Sequence, residues 1–572
     1  MAARTIQINS FCGGTSKLLD SEFLGMEESL NMYPETVKAS DTYTTKILKS
    51  VEGFKRIETP YYEEVKHLST VPANPDAVRE SLLVFTKAEN EYNVYTIADG
   101  VQKQVGSLVL MDLDEVSTAP LSNGLTIALV DGLLCAIDPT RETQDTLERI
   151  ELPDSFTKDG EKINPTDVAQ LNFRVVLNDK GTDYIYWSEI NRPSSSSDNT
   201  AFGQTLTRYA YTKTDGSQVT FDDNIYYPPA EGTYVGTVET EEVFNSSLNS
   251  MRMDFKADTV TALKATDTCL FVFGENSMQV LQWQNSTIAP FAIVSKTSSV
   301  GLDIPKTAVV IDRECLFLGK GVGGMLGVWA VGESGEVRKL SGESEDQRFA
   351  NYSELDALAF NYSYKGHTFY VLTLKGRDLE GKRREETLVL DLGENVWSDR
   401  ASFNEEGQRK AWNAEQSVMY RGKPVFVLKT LEAANRYILG EFDRKSNMDL
   451  FSSVASRYIQ RERTTGIKYD GINDIVVTGL ELILNNGTTE DTIASDPAYN
   501  PQVMLQVSID GGRTWSNELW ASAGKIGQYS WRTRWNGLGR GARFAFRVKM
   551  TDPVPFEIAT AYLSYLPCGN RV

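Results

Sequence analysis

The feature that most constrains this chain is a strand–turn–strand unit that recurs along most of its length. LLVFTKAENEYNVYTIADG (82–100) alternates apolar and polar residues on both sides of Ala88-Glu89-Asn90-Glu91. LTIALVDGLLCAID (125–138) is two apolar runs joined at Asp131-Gly132. That dipeptide favours two-residue hairpin turns, in which both central positions need positive φ. Comparable units follow at 173–190, 269–283, 308–331, 367–400 and 418–442. About seven hairpins thus start roughly 40–55 residues apart, the spacing of a β-propeller of six or seven blades. Each blade is one small sheet, and closing the ring removes most exposed edges. A pair of stacked β-sandwiches would space its strands similarly and is the alternative.

The rhythm fails in two places. Residues 191–260 hold RPSSSSDNTAFGQ, the tyrosine-rich TRYAYTKTDGSQ and the acidic EGTYVGTVETEEVF. They read as an insertion from one blade, part loop and part extra hairpin, whose use would be contact with a neighbour or partner. From about residue 446 to 572, IVVTGLELILNN, PQVMLQVSIDGG, ARFAFRVKM and EIATAYLSYL alternate as strands of a β-sandwich do. The expected organisation is all-β: an N-terminal segment (1–60) closing or bracing the propeller, the propeller itself (61–445), and a C-terminal sandwich (446–572).

Charge narrows the function. The net charge is −20, and a chain this acidic does not wrap nucleic acid by neutralising phosphates. It can line a channel through which DNA slides, where like charge prevents sticking. Residues 501–572 carry nine Lys/Arg against four Asp/Glu, a net +5 that leaves −25 on residues 1–500. This basic region fits docking to an acidic neighbour, a phosphate-facing rim, or a solvated strand face.

The chemistry of common active sites is sparse. There are two histidines, His67 and His367, about 300 residues apart, which counts against most hydrolase and metalloenzyme designs. Cys12, Cys135, Cys269, Cys315 and Cys568 are odd in number and form no C-x-x-C pair, so buried reduced thiols are expected, with neither disulfides nor zinc. No P-loop, G-x-S-x-G, H-E-x-x-H or EF-hand is present. No catalytic, cofactor-binding or metal-binding residues are assigned. The N-terminus lacks an apolar h-region, and runs such as LTIALV fall short of the about 20 residues of a membrane span, so a soluble protein made in the cytoplasm is expected.

SIDGGRTW (508–515) matches the Asp-box S-x-D-x-G-x-T-W. Asp510 can bond turn amides, the glycines permit positive φ, and Trp515 can pack under the hairpin. The box recurs in sialidases, which raises a glycan- or receptor-binding propeller as the alternative function. With one copy present, a structural turn is the simpler reading. GKGVGG (319–324) sits inside a hairpin pattern and fits a strand turn. The basic runs at 375–386 and 457–463 are interleaved with acids and read as solvated loops. In WRTRWNGLGRG, Arg532 and Arg534 fall on one strand face and Trp531 and Trp535 on the other, as an amphipathic sandwich strand requires.

The motifs, in order, resemble a family. ESLNMYPE (28–35) with LKSVEGF (48–54), CLFVFGENSMQVLQWQNSTIAPF (269–291), KGHTFYVLTL (365–374) and ETLVLDLGENVWSDR (386–400) followed by Trp412 are similar to successive segments of the packaged-DNA stabilisation, or tail hub (nozzle), proteins of short-tailed bacteriophages. The chain departs from the family pattern at Ser398-Asp399-Arg400, at Glu52-Gly53, and in the length of the 191–260 insertion. The resemblance implies a structural virion protein rather than an enzyme, without cofactors, in a hexameric ring below the portal and its adaptor ring. It further implies that the ring seals the DNA exit channel, carries tail fibres, spikes or a needle, and passes genomic double-stranded DNA without sequence-specific binding.

Overall fold

The computed structural model describes residues 4–568, apart from 18–26, 41–42, 58, 73–79, 89–90, 110–114, 121–125, 138–146, 150–156, 159–160, 173, 189–204, 213–217, 223–234, 243–248, 255–257, 285–289, 295–296, 405, 431–435, 445, 451–455, 472, 486–495, 526 and 529–530. The chain forms two compact units, Glu63–Leu340 and Met1–Tyr62 with Ser341–Val572.

Glu63–Leu340 carries five successive antiparallel meander sheets. In the second, Asp131 and Gly132 adopt φ of 48° and 78° and bring Val130 opposite Leu133, the two-residue turn expected there. The central strands Thr126–Val130, Arg174–Asn178 and Cys269–Gly274 are buried at every position. Burial on both faces explains why they read as near-continuous apolar runs. In the third sheet, Val175, Leu177 and Tyr186 pack with Ile127 and Leu129 of the sheet before. On its other face, Val176, Ile185 and Trp187 pack with Leu270 and Val272 of the sheet after. Each interior sheet thus shares one core with its predecessor and another with its successor, as propeller blades do. A two-layer sandwich would leave one face of each sheet wet.

The insertion contributes a three-stranded antiparallel sheet in the order Gln218–Asp222, Thr205–Thr212, Val235–Glu242. It has one strand more than the expected hairpin, and its serine run lies outside the described residues.

The other unit begins with β1 (Arg4–Gln7), β2 (Glu28–Leu30), β3 (Met32–Ser40), β4 (Tyr43–Ser50) and β5 (Gly53–Arg56). It holds two more meanders. Tyr352–Tyr364, His367–Asp378, Arg383–Asp391 and Val396–Phe403 form one; Ala414–Tyr420, Lys423–Lys429 and Tyr437–Asp443 form the other, with β5 as its fourth strand. An aromatic core including Phe54, Phe360, Tyr362, Trp412 and Phe426 fills the space between them. Gly53 is needed at the start of β5, because a Cβ there would lie 2.5 Å from the Met448 amide nitrogen.

The sandwich's first sheet runs β3, β4, Glu557–Pro567, Ile475–Leu484, Arg532–Gly541, with β1 also on Glu557–Pro567. Facing it are Arg461–Thr464, Ala545–Met550, Gln502–Ser508 and Leu519–Ser522. In IVVTGLELIL the buried set changes parity, from Ile475 and Val477 to Leu480, Leu482 and Leu484. The register shift between Val477 and Gly479 explains this, since one extra residue turns the strand over. The sandwich core also takes Ile8, Phe11, Cys12, Met32 and Leu48 from the N-terminal segment.

Candidate functional site: a buried ionic joint

β2 has three residues, yet it joins two domains. Leu30 pairs in parallel with Asp399 of the Val396–Phe403 strand and antiparallel with Glu462 of the sandwich. Blade and sandwich strands thereby form one ten-stranded sheet. Asn31 follows at φ 55°, a left-handed conformation that Asn tolerates better than most residues. Its side-chain amide donates to the carbonyls of Ala401 and Gln460, both at 2.9 Å, and its oxygen accepts from the Ala401 amide at 3.0 Å. In ESLNMYPE, Asn31 is therefore the pivot, and Tyr33 beyond it packs edge-on against Phe369.

So short a ladder cannot fix its own register, and side-chain charges do so. The helix α1 (Glu343–Ala350) is capped where the Glu345 carboxylate accepts the Gly342 amide at 2.9 Å. It presents Arg348 inward. The guanidinium reaches Asp399 at 2.9 Å and Glu386 at 2.6 Å. Lys17 bridges Asp399 at 2.8 Å and Glu28 at 2.7 Å. Arg409 repeats the bridge from the other side, 2.5 Å from Glu28 and 3.3 Å from Asp399. The Asp399 side chain is wholly buried. Burial by itself would raise its carboxyl, but Arg348, Lys17 and Arg409 together hold it well below the usual carboxylate range. The same balance lowers Glu386, where Arg348 and Arg384 outweigh burial.

The opposite face of the sheet is clamped by arginines bound to backbone. Arg463, fully buried, donates to the carbonyls of Phe11 at 2.8 Å and Gly14 at 2.7 Å and to Glu27 at 2.8 Å. Arg461 donates to Asp552 O at 3.0 Å and Asn447 Oδ1 at 2.6 Å, and Arg400 to Met32 O at 3.1 Å. The run 457–463 is therefore no solvated loop, correcting the expectation from its mixed charge. Arg463 turns inward because the N-terminal segment brings the carbonyls of Phe11 and Gly14 against it, and Arg461 because Asp552 O and Asn447 Oδ1 accept from it. Buried ion pairs add little net stability over apolar packing, yet removing one partner is costly. The network thus selects one arrangement of blade, β2 and sandwich. Sequence reasoning missed it, although Ser398-Asp399-Arg400 directly after Trp397 is its trace.

The remaining candidates are structural. His67 bonds Thr118 at 2.9 Å; burial, with Lys264 nearby, lowers it to about 4, so its ring is neutral at pH 7. His367 meets Asp391 at 2.6 Å and stacks on Phe369. The first strands of the sheets in Glu63–Leu340 are tied in sequence by His67–Thr118, by Val168 N to Ser117 Oγ at 3.2 Å, and by Leu263 N to Asp167 at 2.9 Å. Those strands, EVKHLSTV, VSTAP, VAQL, VTALKA, GL and VVI, are without arginine. In the Asp-box, Asp510 accepts from Thr514 N at 3.0 Å and Thr514 Oγ1 at 2.6 Å and from Ser508 Oγ at 2.7 Å. These bonds lower it to about 2, and its carboxylate is taken up by its own turn. Gly511 and Gly512 hold φ of 80° and 93°, and the Arg547 guanidinium lies 4.1 Å over the Trp515 ring. Arg532 and Arg534 are exposed while Trp535 is buried, as the strand alternation requires. Cys12, Cys135, Cys269 and Cys315 are buried thiols; burial pushes Cys12 up to about 11 and Cys315 to about 12. Among the described residues no cluster of three metal-ligating side chains occurs, and no helix is long and apolar enough to cross a membrane.

Comparison with known proteins places this architecture. No curated protein is matched. Among solved structures, Trypanosoma rangeli sialidase is similar at 8% identity over 99% of this chain and 96% of that chain, with a TM-score of 0.28. Kluyveromyces lactis Hsv2 is similar at 11% identity over 58% and 95%, with a TM-score of 0.21. Likenesses this low carry no argument. Family models are decisive: residues 197–445 match the one described as bacteriophage P22 Gp10, beta-propeller, and residues 460–565 the one described as bacteriophage P22 Gp10, beta-sandwich. Together they span more than half of the chain, the first including the joint's blade strand Val396–Phe403 and the second its sandwich strand Arg461–Thr464. The chain belongs to the bacteriophage P22 Gp10 family, structural phage tail and DNA-stabilisation proteins built of a β-propeller and a β-sandwich and carried in the virion.

Proposed function

We propose that this protein is the ring-forming hub, or nozzle, subunit of a short phage tail. It docks below the portal and its adaptor ring, seals the DNA exit channel, retains the packaged genome and conducts it during ejection. The observation that carries this reading is the pair of family matches, propeller and sandwich, in one chain. Two physical features support it. Six copies at −20 would give a ring of about −120, whose lumen repels rather than binds DNA. A joint in which buried arginines fix blade to sandwich suits a wall loaded by compressed DNA. Fibres, spikes or a needle would attach to its outer surfaces.

Electron microscopy of the purified chain, alone and with adaptor ring, tests the proposal. Rings, or ring assembly on the adaptor, are expected. Monomers under both conditions would overturn it.

A further inference from the structure

The sandwich carries one surface that the joint leaves uncovered. At the corner where the strands Leu519–Ser522 and Arg532–Gly541 meet, large apolar side chains are exposed: Trp520 at 60%, Ile509 at 47%, Leu519 at 40% and Trp531 at 38%. Both strands are the last of their sheets. They are nevertheless closed to strand addition at two carbonyls, because the Trp531 indole donates to Ser522 O at 2.8 Å and the Trp535 indole to Leu519 O at 2.9 Å. What remains available is side-chain contact. Arg534 is exposed along the same edge beside Arg532, whose guanidinium is paired with Glu481, and Lys525 is exposed in the loop joining the two strands, all within the region of net +5. Apolar residues in a line with a basic rim mark a protein interface rather than a solvated face.

The chain itself contains the complement. Between Lys213 and Arg252 there are seven Asp/Glu and no Lys or Arg. Three of the seven, Glu239, Glu241 and Glu242, lie in Val235–Glu242, which is an edge strand of the inserted three-stranded sheet. We propose that this acidic edge of one copy docks on the Trp520–Arg534 edge of the next copy. The contact is heterologous, each copy giving one surface and receiving the other, and such contacts build a ring where the rotation between copies closes. The inference rests on the ring reading above and adds to it the pair of surfaces that make the ring.

Charge reversal on full-length chains tests it. Arg534→Glu with Lys525→Glu forms one variant, Glu239→Lys with Glu241→Lys and Glu242→Lys a second, and all five changes together a third. Self-association is measured by sedimentation velocity, with adaptor added if the wild-type chain needs it, and thermal melting checks that each variant folds. Either reversal alone is expected to weaken association at least ten-fold, and the five-fold variant to recover it, since the charges are again complementary. Trp520→Ala, which keeps every charge, is expected to weaken association as well. Wild-type rings with unaffected single reversals, or failure of the five-fold variant to recover, would overturn this interface and leave the hub reading standing. A wild-type chain that never associates, even on the adaptor, would overturn both.

Discussion

Asp399→Asn tests the joint at its centre. The wild-type carboxylate faces Arg348 at 2.9 Å, Lys17 at 2.8 Å and Arg409 at 3.3 Å, and its side chain is wholly buried. The amide is nearly isosteric, so packing is kept while one negative charge is lost. Glu28 and Glu386 then face Lys17, Arg348, Arg384 and Arg409 alone. Breaking a buried pair by removing one partner costs about 3–5 kcal/mol. The Asn oxygen still accepts one hydrogen bond, which places the expected loss near the lower end, about 3 kcal/mol. Urea unfolding followed by tryptophan fluorescence would read this, since Trp397 and Trp412 flank the site in sequence. The loss should fall on the transition of the unit containing Ser341–Val572. Because the folded carboxyl is depressed, its contribution is present above the unfolded value of about 4 and disappears as pH falls below it. The two proteins should therefore converge in stability in acid. A difference below about 1 kcal/mol at pH 7, or one that does not shrink in acid, would refute the view that Asp399 organises the joint.

Three other perturbations follow from single groups. His67 is lowered to about 4, so stability present above about 6.5 is lost as pH falls towards 4. His67→Gln should remove that loss from thermal melts of the full chain. Asp449, raised to about 7 chiefly by burial, is neutral in the fold, so stability declines as pH rises from about 4 to about 7. Asp449→Asn should flatten the decline and melt higher than wild type at pH 8. Asp510→Ala removes the turn's acceptor and should cost about 1 kcal/mol of sandwich stability, with no glycan hydrolysis to lose in a sialidase assay.

How far the sequence could be read depended on how local each signal is. The turn at Asp131-Gly132 is encoded by the residues that adopt positive φ, and the strands on either side follow from the apolar runs that flank it. The Asp-box folds as its own residues dictate. By contrast, the ionic joint gathers residues 17, 28, 348, 386, 399 and 409. No window of sequence contains that coincidence, and each charge alone looks like a surface residue. Arg461 and Arg463 misled for the same reason: RYIQRER has the composition of a solvated run, and the acceptors that let it be buried, Asp552 O and Asn447 Oδ1 for Arg461 and the carbonyls of Phe11 and Gly14 for Arg463, are distant in sequence. The sandwich strands after residue 446 were legible as strands, whereas the share taken in their sheet by β1, β3 and β4 was not.

That share has a consequence for synthesis. The side chains of Thr5 and Ser564 bond across a sequence separation of 559 residues. At about 5–20 residues per second, β1 and β4 leave the ribosome roughly 25–100 s before their partner strand Glu557–Pro567 exists. The blade sheets of Glu63–Leu340 can close during that interval, since each is complete within a short stretch of chain. The N-terminal strands cannot, and they wait with unpaired edges in a crowded cell. The segments TVKAS and YTTKILKS carry Lys38, Lys46 and Lys49, the residue type that discourages edge-to-edge pairing. The last strand to be made therefore secures the first, and a chain that terminates early carries an open sheet where a finished one has a sandwich.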